Sequence, residues 1–370
     1  MAEIMKGRTA KCIECFNIPH AAQELPDVER QKVVAGLIKT APGGFAKDAL
    51  TGQSSISLFE EVGAMAILAA WCGGIYGLVY STFAVIIYGL VYGASWSMVG
   101  YTALTWLFLM FHPIPRSLEW EDYTCRARFN EWFYRYFSYR IVWTDDAFEE
   151  IRACPAWLGA AGPHGVVPFA NVLSMPAMNT IVGRKFVGGT ATALFNTPFL
   201  RFMSMYGATD VKAESMEKEL DSGTCVGIVP DGIAGIFQCT GEKEVFLIKQ
   251  RKGIAKFALR TGHVIVPAYS VGNTEAFSAI YDSFGILKWI SRKLQASIFF
   301  FWGRFFLNIP RRVNVTMLVG KPIYTTKKEE KDITPEDVDR VHQQLLDAVQ
   351  DMFDSHKAAL GWGHKILSFE

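Results

Sequence analysis

One histidine lies where an apolar run ends in a turn. His164 belongs to the segment WLGAAGPHGVVPF, residues 157–169, in which the apolar run breaks at Gly162-Pro163 and resumes after Gly165. An apolar run that ends in a Gly-Pro pair predicts a buried strand closed by a sharp turn. An imidazole at the end of such a strand can act as a general base, because its pKa of about 6.5 leaves it mostly neutral near pH 7. A turn histidine without a chemical task is the alternative interpretation of this segment taken alone.

Three further loops place polar residues between apolar runs, and all of them follow His164 in the chain. The first contains Asp231, an acid that can assist a base. The second contains Arg251 and Lys252, which suit phosphate groups as a planar fork and as a point charge. Each loop alone has a simpler interpretation, as a turn aspartate, a solvated helix start or an arginine beside aromatic rings. The loops are Val229-Pro230-Asp231-Gly232, Arg251-Lys252-Gly253 and Trp302-Gly303-Arg304.

The elements that must position these loops alternate between strand and helix from Ala156 onward, which is typical of an α/β domain. We assign this domain to residues 151–370. Its last predicted helix has Thr334 as the N-cap and Pro335 at the first position. The predicted strands are 156–161, 225–229, 264–269 and 314–319, and the predicted helices include 254–260 and 335–360.

The region before this domain predicts membrane insertion. Residues 62–115 contain no Asp, Glu, Lys or Arg over 54 positions, although one bilayer span needs only about 20 apolar residues. This length predicts a hairpin of two transmembrane helices, at residues 64–87 and 90–111. Basic residues on both flanks place both ends of the hairpin in the cytosol by the positive-inside rule. A pair of buried core helices is the alternative.

The segments that flank the hairpin complete the predicted domain organisation. Residues 1–61 mix charges with short apolar pieces, and we interpret them as a cytosolic leader without a cleavable signal. Residues 116–150 alternate aromatic rings with arginines and acids at near-helical spacing, which predicts an amphipathic interfacial segment. A partly buried helix of the globular domain is the alternative for this segment.

The composition excludes some classes of partner. Half of the residues are apolar and the formal net charge is +1, so the chain has no basic field for nucleic acid. The seven cysteines are scattered and odd in number, which indicates reduced thiols. Cys12 and Cys15, with His20 nearby, have the spacing of half a zinc site, but no second pair follows. We interpret them as ordinary cysteines.

Taken in order, these features resemble the type-2 diacylglycerol acyltransferases and the related monoacylglycerol and wax-alcohol acyltransferases. The resemblance covers most of the chain and includes the apolar hairpin near the amino end. It implies an α/β fold in which an amino-terminal transmembrane helical hairpin is followed by a glycerolipid-acyltransferase-like mixed sheet flanked by helices. The motifs that carry it are Trp132-Phe-Tyr-Arg-Tyr-Phe137, Pro163-His164-Gly165, Arg251-Lys-Gly-Ile-Ala-Lys-Phe-Ala-Leu-Arg260, Val266-Pro-Ala-Tyr-Ser270, Gly303-Arg304 and Val319-Gly-Lys-Pro-Ile323.

The resemblance also implies an activity, an acyl-CoA-dependent O-acyltransferase that makes triacylglycerol from diacylglycerol. His164 would be the general base, Asp231 would assist it, and the N–H groups of Gly165 and Val166 would stabilise the oxyanion. Acyl-CoA is then a co-substrate, and neither a cofactor nor a metal is expected. The substrate-binding residues that the resemblance implies are Pro163, Arg251, Lys252, Gly253 and Arg304.

The implied location is the endoplasmic reticulum membrane, as a multi-pass protein, with the lipid droplet as a second location. The expected partners are acyl-CoA, diacylglycerol and membrane lipid, without nucleic acid. The oligomeric state stays open, with a homo-oligomer as a candidate.

Two departures from the family pattern bear on the site. Relatives commonly have the pattern HPHG, and here Gly162 replaces its first histidine. Relatives also place a glutamate in the loop that contains Asp231, where this chain has Gly235. The Val-Pro-Asp-Gly setting of Asp231 looks like the Phe-Pro-Glu-Gly loop of the glycerol-phosphate acyltransferases. Those enzymes have an aspartate four residues after the histidine, but Pro168 occupies that position here, so an acidic partner of His164 comes from elsewhere or is absent.

Other functions remain open on the sequence alone. A monoacylglycerol or a long-chain alcohol would use the same base and the same thioester as diacylglycerol does. A non-catalytic lipid-binding or lipid-droplet protein of the same fold is favoured by Gly162 and Gly235. A hairpin scaffold that shapes membrane would account for the apolar stretch but not for the four polar loops.

Overall fold

The strands of the described residues form one large mixed sheet and two small ones. The computed structural model describes residues 7–93, 95–112, 123–197, 200–236, 243–279, 289 and 300–370. The strands are β1 (Thr9–Glu14), β2 (Lys39–Pro42), β3 (Arg140–Thr144), β4 (Trp157–Gly162), β5 (Phe186–Thr190), β6 (Ala208–Asp210), β7 (Cys225–Ile228), β8 (Lys243–Phe246), β9 (Val264–Val271), β10 (Ser278–Ala279), β11 (Phe301–Trp302), β12 (Thr316–Val319) and β13 (Ile366–Phe369).

The large sheet has β4 near its middle. Among the described residues its order is β2-β1-β3-β12-β9-β4-β7-β5-β6. β4 pairs in parallel with β9 on one side and with β7 on the other, and it is buried along its whole length. Because parallel strands end at the same edge of a sheet, the loops after β4, β7 and β9 meet there. The four predicted strands are confirmed as β4, β7, β9 and β12, with small shifts at their ends.

Helices cover both faces of this sheet. The helices are α1 (Asp27–Leu37), α2 (Leu58–Tyr92), α3 (Trp96–Phe111), α4 (Phe129–Tyr136), α5 (Ala147–Ala153), α6 (Phe169–Val182), α7 (Ala213–Asp221), α8 (Gly232–Ile236), α9 (Gly253–Thr261) and α10 (Pro335–His356). Buried residues of α2, α4 and α6 pack in the core on one face, and those of α7, α9 and α10 pack on the other. The mixed α/β fold and the predicted helices α9 and α10 are confirmed.

The start of α10 follows from its sequence. Thr334 is the N-cap, as predicted, and its side chain accepts a hydrogen bond from the Asp337 N–H while the Asp337 carboxylate accepts from the Thr334 N–H. This reciprocal pair satisfies two main-chain donors that a helix start leaves without partners. Short 3-10 helices lie at Cys15–Asn17, His20–Gln23, Thr192–Asn196, Leu200–Tyr206 and Glu330–Asp332.

The predicted leader, residues 1–61, is part of the sheet where the structure describes it. β1 pairs with β3, and β2 pairs with β1, so both strands complete one end of the sheet. Cys12 and Ile13 on β1 are fully buried. The charged Lys11 and Glu14 occupy less buried positions of the same strand, so its composition resembles a polar leader although its pattern is that of a strand.

The apolar region forms one long helix and one shorter helix. α2 has 35 residues, about 52 Å at 1.5 Å per residue, and α3 has 16. α2 continues past the break predicted at residues 88–89 and ends at Tyr92, where Gly93 adopts a φ of 84°, and α3 begins at Trp96, where the Ser95 side chain caps it by accepting from the Met98 N–H. Among the described residues, α2 is the helix whose length and composition allow it to cross a membrane. Residues 94 and 113–115 of the predicted hairpin lie outside the described residues.

α2 packs against the globular domain through its first half. Gly63 faces the ring of Trp132 on α4, and Gly73 faces the side chain of Asn308. From Tyr80 onward, most of its large apolar side chains are exposed. The helix therefore joins the domain at one end and presents an apolar surface at the other.

The predicted interfacial segment, residues 116–150, contributes buried elements to the domain. Residues 113–122 lie outside the described residues. Phe133, Tyr134 and Tyr136 of α4 are buried, and β3 is buried along its whole length. The alternative of a helix of the globular domain therefore describes α4, because rings that were expected at a membrane surface pack inside the protein.

Candidate active site

His164 lies on the turn that follows the central strand β4. The turn begins after Gly162, whose peptide bond to Pro163 is cis. The imidazole Nδ1 donates a 2.8 Å hydrogen bond to the carbonyl oxygen of Gly165, since a carbonyl can only accept. The neutral ring therefore keeps its lone pair on Nε2, which has no hydrogen-bond partner in the described part of the chain. Burial lowers the pKa of His164, so the imidazole is neutral at pH 7 and can accept a proton.

Asn273, which follows β9, fixes the main chain on both sides of His164. Its Nδ2 donates to the Pro163 carbonyl oxygen at 3.0 Å, its Oδ1 accepts from the Ala170 N–H at 2.9 Å, and the residue is completely buried. Gly165 has a φ of 63°, and a Cβ there would lie only 2.5 Å from the carbonyl oxygen of Asn273. The turn therefore requires glycine at position 165, because a side chain would collide with main chain.

Asp231 contacts His164 through the main chain and not through the ring. Its Oδ2 accepts a 2.8 Å hydrogen bond from the His164 N–H, and its side chain is fully buried. Its Oδ1 has no hydrogen-bond partner within the described residues. Burial raises the pKa of Asp231 to about 7, against the opposing effect of the His164 hydrogen bond. The predicted acid and base are neighbours, and the carboxyl group holds the turn.

The two glycines that depart from the family pattern each face another side chain. At Gly162, a Cβ would lie 2.2 Å from Cε2 of Phe246, a fully buried ring at the end of β8. At Gly235, a Cβ would lie 2.0 Å from Oδ2 of Asp231, four residues earlier. An apolar ring therefore takes the space beside position 162, and the Asp231 carboxylate takes the space where a side chain at 235 would begin.

His164 lines an apolar cavity of about 1380 Å³. This volume exceeds the roughly 300–1,000 Å³ of common small-molecule sites. Residues of α2, α3 and α6 and the ends of β4, β5 and β7 form its walls. Arg251 also lines it, and its Nη1 donates to the Pro230 carbonyl oxygen at 2.8 Å. Aromatic residues of the wall include Trp71, Tyr76, Trp106, Phe169, Phe257 and Phe301.

Three of the predicted binding residues lie outside this cavity lining, namely Pro163 in the turn itself, Lys252 and Arg304. The Lys252 Nζ pairs with the Asp339 carboxylate of α10 at 2.5 Å. The Arg304 guanidinium pairs with the Glu61 carboxylate in the first turn of α2 at 2.5 Å. The predicted residues that the turn and the cavity bring together are Pro163, His164, Gly165, Asp231, Arg251 and Gly253.

The Cys12 and Cys15 pair is divided between two cores. The two thiols are buried in separate hydrophobic clusters on opposite faces of the sheet, and burial raises the pKa of Cys12 to about 12. Over the described ranges, no group of three or more His, Cys, Asp and Glu side chains is placed to bind a metal ion.

Asn273 and Phe246 belong to the site but were not predicted. Asn273 carried a usable signal, since it is a polar residue shortly after a buried strand, as His164 and Asp231 are. Phe246 carried none, because an apolar ring beside Gly162 is indistinguishable in sequence from any other core residue.

The chain is similar to known acyltransferases. Residues 88–367 match the family model described as Diacylglycerol acyltransferase. The chain is 27% identical over 309 residues to diacylglycerol O-acyltransferase 2-like protein 6 of Bos taurus, covering 75% of this chain and 87% of the relative. It is 27% identical over 304 residues to diacylglycerol O-acyltransferase 2 of Mus musculus, covering 74% and 77%. The crystal structure of a 1-acyl-sn-glycerophosphate acyltransferase of Thermotoga maritima aligns with a TM-score of 0.38 and 12% identity, over 80% of this chain and 96% of that chain.

The family match covers most of the chain, including β4, the His164 turn, Asp231 and Arg251. It confirms the predicted family and the predicted class of enzyme. The chain belongs to the diacylglycerol acyltransferase family, and it is an acyltransferase.

Proposed function

We propose that the protein transfers the acyl group of an acyl-CoA to the free hydroxyl of diacylglycerol, with His164 as the general base. One observation carries the proposal: the half-buried imidazole of His164, whose Nε2 has no hydrogen-bond partner in the described part of the chain, lines an apolar cavity of about 1380 Å³ that Arg251 also lines. A cavity of this size and character suits long acyl chains, and the guanidinium suits the phosphates of coenzyme A.

The reaction proceeds by direct transfer. Nε2 of His164 removes the proton of the acceptor hydroxyl, and the oxygen attacks the carbonyl carbon of the thioester. The tetrahedral intermediate collapses with cleavage of the carbon–sulfur bond, and the imidazolium returns its proton to the departing thiolate of coenzyme A. The N–H groups of Gly165 and Val166, which have no acceptor in the described part of the chain, are the proposed donors to the oxyanion. No covalent acyl-enzyme is required when both substrates bind together.

Asp231 acts on this reaction through geometry. Its hydrogen bond to the His164 N–H fixes the main chain of the turn, which in turn fixes where Nε2 lies. Asp231 would therefore assist the base, as the resemblance implies, by positioning it and not by contact with the imidazole. Of the two predicted phosphate ligands, Arg251 is the stronger, since Lys252 is engaged with Asp339.

The proposed location is the endoplasmic reticulum membrane, with the lipid droplet as a second location. The exposed apolar half of α2 and the apolar α3 support a hairpin that enters and leaves on the cytosolic side. Glycosylation acceptors placed ahead of Leu58 and after Phe111 should both stay unmodified in cells. Modification of only one of them would mean a single crossing and would contradict the hairpin.

The function is tested by expression in cells that lack triacylglycerol, followed by lipid extraction. The wild-type chain should restore triacylglycerol, and His164→Ala should not, although it reaches the same abundance in membranes, because a general base contributes about 10²–10⁴-fold to rate. Asp231→Asn should fall between the two, and the double variant should be little worse than His164→Ala, because residues that act as a unit are not additive.

The same extraction separates the other functions. Accumulation of diacylglycerol or wax ester in place of triacylglycerol would move the acceptor to monoacylglycerol or a long-chain alcohol. Restored triacylglycerol in His164→Ala would remove the histidine from the reaction. The absence of any new acyl ester from the wild-type chain would favour a lipid-binding protein.

A further inference from the structure

A buried ion pair joins the carboxy-terminal strand to the interior. The Lys365 Nζ lies 2.9 Å from the Glu244 Oε1, and the two side chains are 5% and 2% exposed. The same ammonium lies 2.8 Å from the Glu275 carboxylate and 3.6 Å from the centre of the Trp362 ring. This lysine is thus held from several sides.

Such a pair needs a reason other than stability. Moving two charges from water into a protein interior costs several kcal/mol per ion, and apolar replacements of a buried pair are often neutral or stabilising. Burial raises the pKa of Glu244, against the opposing effect of Lys365, which reflects this cost. The pair is therefore better explained by the geometry that it imposes on its neighbours.

One chain of hydrogen bonds leads from the ion pair to the His164 turn. The Glu244 carboxylate accepts from the Thr274 hydroxyl at 3.1 Å. Thr274 directly follows Asn273, whose Nδ2 donates to the Pro163 carbonyl oxygen and whose own carbonyl confronts Gly165. The carboxylate also accepts from the Tyr269 hydroxyl on β9 at 3.3 Å.

A second route reaches the other side of the same turn. β13 pairs in parallel with β8, and Glu244 and Phe246 both belong to β8. The Phe246 ring occupies the space beside Gly162, the residue that leads into the turn. The two-stranded sheet therefore reaches the His164 turn at two points. Phe246 packs against the start of the turn at Gly162, and Glu244 is connected through Thr274 to Asn273, which faces the end of the turn at Gly165.

We infer that the buried Lys365–Glu244 ion pair is a positioning device for the His164 turn, by which the carboxy-terminal strand fixes the direction of the imidazole. The inference rests on the proposed function of His164 as general base. Lys365 and Glu244 do not line the cavity, so they are positioning residues and take no part in bond making.

The test uses the full-length membrane enzyme with two variants that interrupt the route at different points. Lys365→Met removes the buried cation, and Thr274→Val keeps the ion pair but removes the hydroxyl that connects Glu244 to the Asn273 loop. Both should lower kcat by about tenfold to hundredfold, because small misplacements of a reacting group cost rate on this scale. KM for acyl-CoA should not change, because Arg251 lies on a separate loop. The double variant should be no slower than the slower single variant, since both changes break one connection.

Lys357→Met is the matched control. Lys357 also precedes β13 and also pairs with a carboxylate, Asp354 at 2.7 Å, and lies over a ring, Phe353 at 5.4 Å, but it is 26% exposed, and its described ion pair involves neither Glu244 nor Glu275. Its loss should leave kcat unchanged. An equal loss of kcat in this control would overturn the inference.

A purely structural role would give a different pattern. It would lower the melting temperature and the yield of Lys365→Met while kcat per folded molecule stayed at the wild-type value, and that result would overturn the inference. If Lys365→Met does not fold, Thr274→Val decides alone, and a wild-type kcat in Thr274→Val refutes the route. An inactive His164→Ala beside a fully active Thr274→Val would defeat the inference alone, whereas an active His164→Ala would defeat the proposed function itself.

Discussion

The His164 turn and the Arg251–Lys252 loop both border the cavity region, yet they are held in opposite ways. The turn is fixed by buried groups, with Asp231 and Asn273 bonded to its main chain and Phe246 packed where it begins. The loop is held by groups near the surface. Arg251 donates a hydrogen bond to a carbonyl oxygen, and Lys252 forms an ion pair with the exposed carboxylate of Asp339.

This difference matches what the proposed function requires of each region. A proton transfer requires donor and acceptor within hydrogen-bond distance and near-linear geometry, so its base must not move. Attraction between a guanidinium and a phosphate falls off only gradually with distance, so the cation tolerates motion. The comparison predicts that changes to the turn reduce kcat and that changes to the loop raise KM.

The largest effect should come from matched glycine replacements in the two regions. Gly165→Ala adds a Cβ 2.5 Å from the Asn273 carbonyl oxygen at a φ of 63°, and it should lower kcat by about a hundredfold or more. Gly253→Ala, at the start of α9, adds a Cβ with no heavy atom within 4 Å and should retain kcat, with stability raised by about 0.4–1 kcal/mol. Kinetics and thermal unfolding of the two purified variants measure this contrast. Equal losses in both would mean that the loop is as constrained as the turn.

A smaller effect should separate the two cations of the loop. Arg251→Ala should raise KM for acyl-CoA by about tenfold to a hundredfold, because a charge-assisted hydrogen bond contributes about 1.5–3 kcal/mol. Lys252→Ala should change it little, because its ammonium already pairs with Asp339 at the surface and such pairs contribute about 0–1 kcal/mol. Titration of acyl-CoA at fixed acceptor gives both values. A larger effect from Lys252 than from Arg251 would reverse the assignment.

The smallest effect is the dependence of kcat on acid pH, which should arise from the titrating groups of the turn and not from the cations of the loop. The imidazole must be neutral to accept a proton, and burial lowers the pKa of His164, so the loss of kcat that protonation of His164 causes at saturating acyl-CoA should appear only below the ordinary histidine value of about 6.5. The pKa of Asp231, raised to about 7, makes it a second titrating group, and repeating the pH profile in Asp231→Asn isolates its share. A fall in kcat that begins above pH 6.5 in Asp231→Asn as well would mean that the pKa of the base is raised, contrary to the effect of its burial.

Sequence patterns were sufficient where a feature depends on residues close together in the chain. Buried parallel strands read as short apolar runs, so β4, β7, β9 and β12 were predicted, and the capping residues of α10 located its start. The turn histidine followed from the Gly-Pro break after β4. These features follow from local backbone chemistry.

Features that depend on distant partners were not predictable. In the sequence, Lys252 and Arg304 look like free cations that could bind a substrate. In the fold, Lys252 pairs with Asp339 and Arg304 pairs with Glu61. Gly162 looked like a lost histidine, whereas the fold fills its surroundings with Phe246. β1 was not predicted as a strand, because its partner β3 follows it in the chain only after the whole apolar region.

That pairing dictates the order in which the protein can be completed during synthesis. β1 and β2 leave the ribosome before α2 and α3, whereas β3, to which β1 bonds, leaves it after them. At about 5–20 residues per second, the first two strands wait several seconds for their partner. The apolar helices α2 and α3 thus leave the ribosome while the sheet is still open, so the large sheet can close only after both helices have been made.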